Sequence, residues 1–462
     1  MSMSKSKKSF EIDMTNGPIF SKILVFSLPL IASGMLQLLF NAADVIVVGQ
    51  FAGSQALAAV GSTGSLTNLI INIFMGLSVG ANVVVANFYG GHKDREVSDA
   101  VHTSILISLL AGVVLVGVGI ALSRPMLSLM GTPEDVIDYS VLYMRIYFAG
   151  MPVMMIYNFG SAILRAVGDT RRPLFYLAGS GVVNVGLNLI FVIVFDMGVA
   201  GVAIATVVSQ AIAAALVVRC LMKAEGPIRL DLRKLRINKS VLAKICAIGF
   251  PAGIQGVVFN ISNVLIQSSV NSFGSVAMAG NTAGSNIEGF VYVAMNAMGQ
   301  TAVSFVGQNA GARNFKRIKK IILECELFVA GVGIVLGNLA VLGGRPLLRL
   351  YTEDPQVIEY GMVRLTFICT LYCLCGMMDT FVGAIRGLGR SVITTVISLI
   401  GACAIRIIYI FTYFRSHHEL SVLYASYPIT WFITALAQFI YLFIVFRQVV
   451  KAFERNSAAN LG

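Results

Sequence analysis

Twelve apolar stretches, each near or beyond the about 20 residues that cross the hydrocarbon core of a bilayer, succeed one another along this chain. They are read at roughly 23–48, 56–84, 99–121, 136–158, 173–195, 199–221, 242–270, 277–306, 320–342, 356–382, 392–414 and 421–446. Over 462 residues, 57% hydrophobic and only 12% charged, there is too much apolar surface for one or two water-soluble cores. The expected fold class is therefore an all-α integral membrane protein with twelve transmembrane helices.

The chain also repeats itself. The segment "RPMLSLMGTPEDVIDYS" at 124–140 returns as "RPLLRLYTEDPQVIEYG" at 345–361, an offset of 221. At the same offset "AILRAVGDT" (162–170) is answered by "GAIRGLGRS" (383–391), which sets Arg165 on Arg386 and Gly168 on Gly389. "NFYGGHKDRE" (87–96) aligns with "GQNAGARNFK" (307–316) at 220, putting Gly91 on Gly311, and Pro29 aligns with Pro251 at 222. Each copy holds six spans, an even number, so both enter the membrane from the same side and the repeat is parallel. Two six-helix bundles are expected, at 23–222 and 241–446, joined by the polar, basic linker 223–240 and flanked by segments 1–22 and 447–462. Within the repeated segments, Thr132 or Asp354 suits a helix cap and Pro133 or Pro355 a first helical position.

Charge sets the orientation. Of the 34 lysines and arginines, 26 fall in connections on the side of the two ends, against Arg124, Arg345, Arg349 and Arg415 opposite. Both termini are expected in the cytoplasm, with the chain multi-pass in the inner (plasma) membrane and no cleavable signal peptide. The net charge of +12 then reads as loop charge facing anionic lipid, and no nucleic-acid partner is expected. The seven cysteines lie in or beside spans without a CxxC, and Cys369, Cys373 and Cys375 are expected simply to pack.

The two halves share further detail with a known family. "FNAADVIVVGQFAGSQALAAVG" (40–61) after a proline-bearing first helix, "LRAVGDTRRPL" (164–174), "GVAGVAIATVVSQ" (198–210), "FVGQNAGARN" (305–314) and "IRGLGRS" (385–391) closely resemble the multidrug and toxic-compound extrusion (MATE) transporters, over about 20–446. The resemblance implies secondary active efflux. A V-shaped pair of bundles would open alternately inward and outward, exporting small organic, often cationic compounds in exchange for protons or sodium. The expected protein is not an enzyme, has no cofactor besides that coupling ion, is surrounded by membrane lipids, and acts as a monomer.

A charged side chain in hydrocarbon costs on the order of 3 kcal/mol, so the few within spans are functional candidates. Asp44 matches the first-helix aspartate that the family uses for cation coupling. Helical rise puts Asp44, Asn188 and Thr206 about 25, 22 and 20 Å from the inner face, and Asn184 lies one turn from Asn188. Asp44, Asn184, Asn188 and Thr206 are thus expected to enclose one small cation, sodium being the only metal considered, or one proton-carrying carboxylate. The resemblance allows an aspartate at Asn188; its being an amide leaves Asp44 as the group's only carboxylate, and the coupling ion stays open.

The second half differs. Its seventh span carries Asn260 and Asn263 but no carboxylate, and its charges lie at Glu288, Asp379 and Arg406. In the repeat alignment Glu288 corresponds to Asn68 and Asp379 to Asn158. The depths of Glu288 and Arg406, about 16 Å from the outer face and 21 Å from the inner, predict an ion pair between them, structural or set to meet a cationic substrate. Arg145 and Arg364, two turns below the outer surface, are expected to snorkel outward.

Two transporter classes compete with this reading. A major facilitator protein shares the twelve spans, and "GGHKDR" (90–95) satisfies part of its loop signature, but the following glycine and basic cluster are replaced by Glu96, Val97 and Ser98. A lipid-linked oligosaccharide flippase usually has fourteen spans and cationic cavity residues, which the sequence does not display. For an enzyme, the four histidines offer no catalytic or metal-binding spacing.

Overall fold

A long apolar run in lipid satisfies its backbone only internally, and every long element here is a helix. The computed structural model describes residues 10–459; the basic start of the chain and 460–462 lie outside them. In the N-terminal half the helices are α1 (Ile19–Phe51), α2 (Ser54–Gly90), α3 (Asp94–Leu129), α4 (Glu134–Ala149), α5 (Met151–Ala166), α6 (Arg171–Leu189, continued by a π segment Ile190–Val194) and α7 (Gly198–Met222). The C-terminal half follows with α8 (Lys239–Asn271), α9 (Ser275–Gly311), α10 (Phe315–Leu342), the short α11 (Gly344–Arg349), α12 (Pro355–Cys369) and α13 (Tyr372–Gly387). Its eleventh span runs through α14 (Val392–Ser398), α15 (Ile405–Tyr409) and the π segments Leu399–Ala404 and Ile410–Phe414. It ends in α16 (Leu420–Ala459).

Contacts divide the chain into two compact units. One runs to Gly253; the other holds Pro18–Ile23 and the chain from Ile254. The segment read as a linker lies against α3 of the first unit: Arg236 pairs with Asp99 at 2.7 Å, and the Asp231 N–H donates to His102 Nε2 at 3.1 Å.

Nine helices among the described residues are long and apolar enough to cross a membrane, eleven when each of two bent pairs is taken as one span. Those pairs are α4 with α5, bent by 49°, and α12 with α13, bent by 45°. Pro152, in the first turn of α5, has no N–H to continue the ladder and gives the first break a cause. With α9 these make twelve long segments, in the places where the sequence predicts spans. The remaining long helix, α9, carries Asn281, Asn286, Glu288, Asn296, Gln300 and Gln308 and is not apolar enough to count.

The repeat extends to backbone conformation, in one register. Gly53 and Gly274, 221 residues apart, precede α2 and α9 with φ of 87° and 90°, a left-handed region that glycine enters without a Cβ clash. Both helices have 37 residues and end on caps Gly91 and Ala312, again 221 apart. The next residues, His92 and Arg313, share φ values of 52° and 58°. This corrects the 220 alignment: Gly91 matches Ala312, not Gly311, and Glu288 stands opposite Thr67, not Asn68. Where α12 begins, Asp354 caps the Gln356 N–H at 2.8 Å and Pro355 is the first helical residue. In the first copy the helix starts at the matching position, Glu134, 221 residues earlier, so Pro133 is its cap residue and not its first helical residue, and no side chain caps it.

Candidate functional site: two polar cavities

Each unit holds its own polar cavity. In the first, a cavity of about 510 Å³ is lined from α1, α2, α4, α5, α6 and α7, and Asp44 is its only charged lining residue. Asp44 reaches it from the C-terminal part of α1. One turn further, Val47 and Val48 pack with Ala56, Ala59, Val136, Val192, Val199 and Val202 into an apolar plug. The carboxylate thus sits at the boundary between an apolar core and a polar cavity.

The four residues expected to converge do so. Asn188 Nδ2 donates to Asp44 Oδ1, and also to Asn184 Oδ1 at 3.3 Å. Asn184 Nδ2 donates to the Thr206 hydroxyl at 3.5 Å, which itself donates to the Val202 carbonyl at 3.0 Å. Helical spacing explains the line: Asn184 and Asn188 are one turn apart on α6, facing Asp44 on α1 and Thr206 on α7. One oxygen is left over. Asn188 Oδ1 is buried and accepts from no donor, as is Thr67 Oγ1 on α2. A carboxylate beside neutral oxygens with spare lone pairs is a donor set that suits a hard monovalent cation, and the carboxylate alone suits a proton.

Asn68 and Asn158 line the same cavity. Asn158 spends its amide on the Met154 carbonyl at 2.8 Å, and Asn68 gives its own carbonyl to Asn72 Nδ2. Tyr143 and Tyr147, stacked with ring centroids 6.0 Å apart on α4, were not singled out by the sequence reading, nor were Gln37 and Asn41. Aromatics at helical spacing in an apolar run carry no signal that separates cavity from lipid.

The second unit encloses a cavity of about 370 Å³ with a different polarity, lined by Glu288, Asp379, Arg364 and Arg406. The Glu288–Arg406 pair expected from depth does not form. Glu288 instead binds Arg364, with Nη2 at 2.7 Å and Nε at 3.0 Å, and accepts from the Tyr372 hydroxyl at 3.1 Å. Arg364 does not snorkel to the surface. It is buried, and its Nη1 donates to Asn281 Oδ1 at 2.6 Å, an oxygen that also accepts from the Tyr424 hydroxyl at 2.9 Å. Distance along a helix gives depth but not the direction a side chain faces, and α9 turns Asn281 and Glu288, two turns apart, toward α12.

Arg406 is likewise buried, but its partners are neutral. Nε and Nη2 donate to the Thr430 hydroxyl at 3.2 and 2.8 Å, and the guanidinium lies 4.1 Å from the centre of the Tyr427 ring. Asp379 lines the cavity, and the charge acting on it is Arg386, two turns on along α13, which is bonded to Gln255 at 2.9 Å. Asn260 is not among the lining residues, whereas Asn263 is. The cationic cavity residues that the sequence did not display are therefore present, as Arg364 and Arg406. Cys369, Cys373 and Cys375 are buried.

Comparison with known proteins places this architecture. The MatE family model matches residues 29–190 and again 251–412, one copy in each half. The probable multidrug resistance protein YpnP of Bacillus subtilis (strain 168) is 30% identical over 398 residues, 85% of this chain and 88% of that protein. The probable multidrug resistance protein YoeA of the same organism is 27% identical over 440 residues, 93% of this chain and 95% of its own. A solved structure described as the outward-facing conformation of a multidrug resistance MATE family transporter of the MOP superfamily has the same fold. Its TM-score is 0.89 at 20% identity, covering 96% of this chain and all of that one. The chain belongs to the MatE family, the multidrug and toxic-compound extrusion transporters.

Proposed function

We propose that this protein is an antiporter of the inner (plasma) membrane, working as a monomer with both termini in the cytoplasm. It exports small organic compounds, cationic ones foremost, as a proton or sodium ion moves inward through the Asp44 site. The observation that carries this reading is the cluster around Asp44: one carboxylate in a 510 Å³ cavity with no other charged lining residue, beside an amide oxygen that lacks a donor.

The site can release and rebind its cation with little rearrangement. Turning the Asn188 amide over exchanges Nδ2 for Oδ1 beside Asp44, replacing a donor by a ligand atom. The empty carboxylate keeps a hydrogen bond; the loaded one gains a second oxygen for its cation. An organic cation entering from the cytoplasm finds the same single negative charge flanked by Tyr143 and Tyr147, whose ring faces attract positive charge. Two ligands that share one carboxylate exclude each other, and antiport requires further that each prefer an opposite-facing state, which makes access alternate.

The test is uptake and release of a fluorescent organic cation by proteoliposomes under an imposed proton or sodium gradient, with Asp44→Asn alongside. One gradient should drive transport and the variant should abolish it while retaining the wild-type elution profile. If neither gradient moves the dye, the efflux reading fails, and scrambling of a fluorescent phospholipid tests the flippase alternative.

A further inference from the structure

The charges of the second cavity are not all paired. Glu288 is committed to Arg364 by two hydrogen bonds and to Tyr372 by a third. Asp379 lines the cavity too and forms no ion pair among the described residues; the charge acting on it is Arg386, outside the lining. Arg406 remains, 5% exposed, lining the cavity and forming no ion pair among the described residues. Two of its five N–H groups are spent on one hydroxyl, Thr430, which passes its own proton to the Ser426 carbonyl at 2.7 Å. A guanidinium taken out of water whose direct partners are a hydroxyl and a ring face is under-compensated, and an anion bound beside it would complete it.

Two further observations mark it as a built site. Arg406 stands on the five-residue α15 between two π segments, Leu399–Ala404 and Ile410–Phe414; such bulges re-aim side chains and recur at functional sites. The wall beside it is aromatic: Tyr427 lies under the guanidinium, and Trp431 packs edge-on to Tyr427 and Tyr372 with centroids 5.5 and 5.2 Å away. Planar recognition of a carboxylate next to flat apolar surfaces is what an arginine fork among aromatics provides.

We propose that the C-terminal cavity is a binding site for small aromatic carboxylates, with Arg406 as the residue that holds the carboxylate. The inference rests on the reading of the chain as an exporter and gives it a second substrate class, anionic, held in a cavity other than that of Asp44. A body of one or two rings suits the 370 Å³ available. Thr430 is the positioning residue: it accepts Nε and one Nη, which leaves the other Nη free to meet the ligand.

The chain supplies its own reporter. Trp431 is the single tryptophan of the sequence and lies on this wall, so quenching of intrinsic emission reads this cavity alone. Three nitroaromatic quenchers of matched shape serve as probes with the purified full-length protein: 4-nitrobenzoate, neutral 4-nitrobenzamide and cationic 4-nitrobenzylammonium. The expected result is saturable quenching by the benzoate, at least about tenfold tighter than by the amide, with the ammonium weakest. Arg406→Met should bring benzoate and amide to parity, and Arg406→Lys should keep the order with a smaller gap, since it retains charge but not the fork. Equal affinities for the three probes in the wild-type protein, non-saturable quenching, or a preference for the ammonium would each overturn the proposal, even if Arg406→Met fails to fold. No gradient is involved, so a failure of cation efflux and a failure of carboxylate binding are read separately.

Discussion

At the scale of the residue, neutral and charged networks behave differently. Asn188 donates to both Asp44 and Asn184. Asn188→Leu should therefore reduce gradient-driven efflux by about tenfold or more, whereas Asn184→Leu, one step removed from the carboxylate, should cost less; initial rates in proteoliposomes decide. The Glu288–Arg364 pair is mainly structural. Glu288→Leu strands a buried guanidinium and should destabilise the protein by about 3–5 kcal/mol, while the double variant with Arg364→Leu should regain most of that. Thermal unfolding midpoints in detergent check this, and equal losses in the single and double variants would deny the coupling. The Asp44 group was legible in the sequence because three helices of known rise must bring polar atoms to one depth. Arg364, Asn281 and the aromatic walls were not, because depth says nothing about whether a side chain faces lipid, a neighbour or a void.

Single elements carry the repeat more faithfully than sequence identity does. Matching glycine to glycine sets 87–96 against 307–316 one residue out of the structural register. The structure conserves the left-handed turn instead, which His92 and Arg313 adopt despite their side chains. Replacing either by glycine should stabilise the fold by roughly 0.5–1 kcal/mol, a small rise in unfolding midpoint, since glycine meets no Cβ clash there. The segment before α1 offers a pH-dependent contact. Ile12 N–H donates to the Gly168 carbonyl at 3.3 Å and the Tyr89 hydroxyl to Glu11 at 3.4 Å, while burial holds the Glu11 carboxyl above its usual range. A raised folded-state value favours the protonated acid, so this docking is strongest below the ordinary carboxylate range and weakens as pH climbs through the raised value. Hydrogen exchange at Ile12 should be slower at pH 4 than at pH 7 after correction for intrinsic rates. Span positions were largely readable from apolarity; the bends at Gly150 and Thr370 were not, because one long apolar run reads the same straight or broken.

At the scale of the whole molecule, orientation is the property that charge alone predicts. In a background without native cysteines, Glu353→Cys should react with an impermeant maleimide in intact cells, and Glu225→Cys only in inverted vesicles. The reverse pattern would invert the proposed topology. The two cavities divide the charge unevenly, one carboxylate in the first against two carboxylates and two arginines in the second, although the helices around them repeat. The polar character of α9 bears on how the chain is made. A helix that carries Glu288 and several amides gains little by entering lipid on its own, and the guanidinium that neutralises Glu288 lies 76 residues further on. At roughly 5–20 residues per second of synthesis, α9 waits on the order of 4 to 15 seconds for Arg364, so the nascent chain must shelter it beside the insertion machinery until α12 emerges.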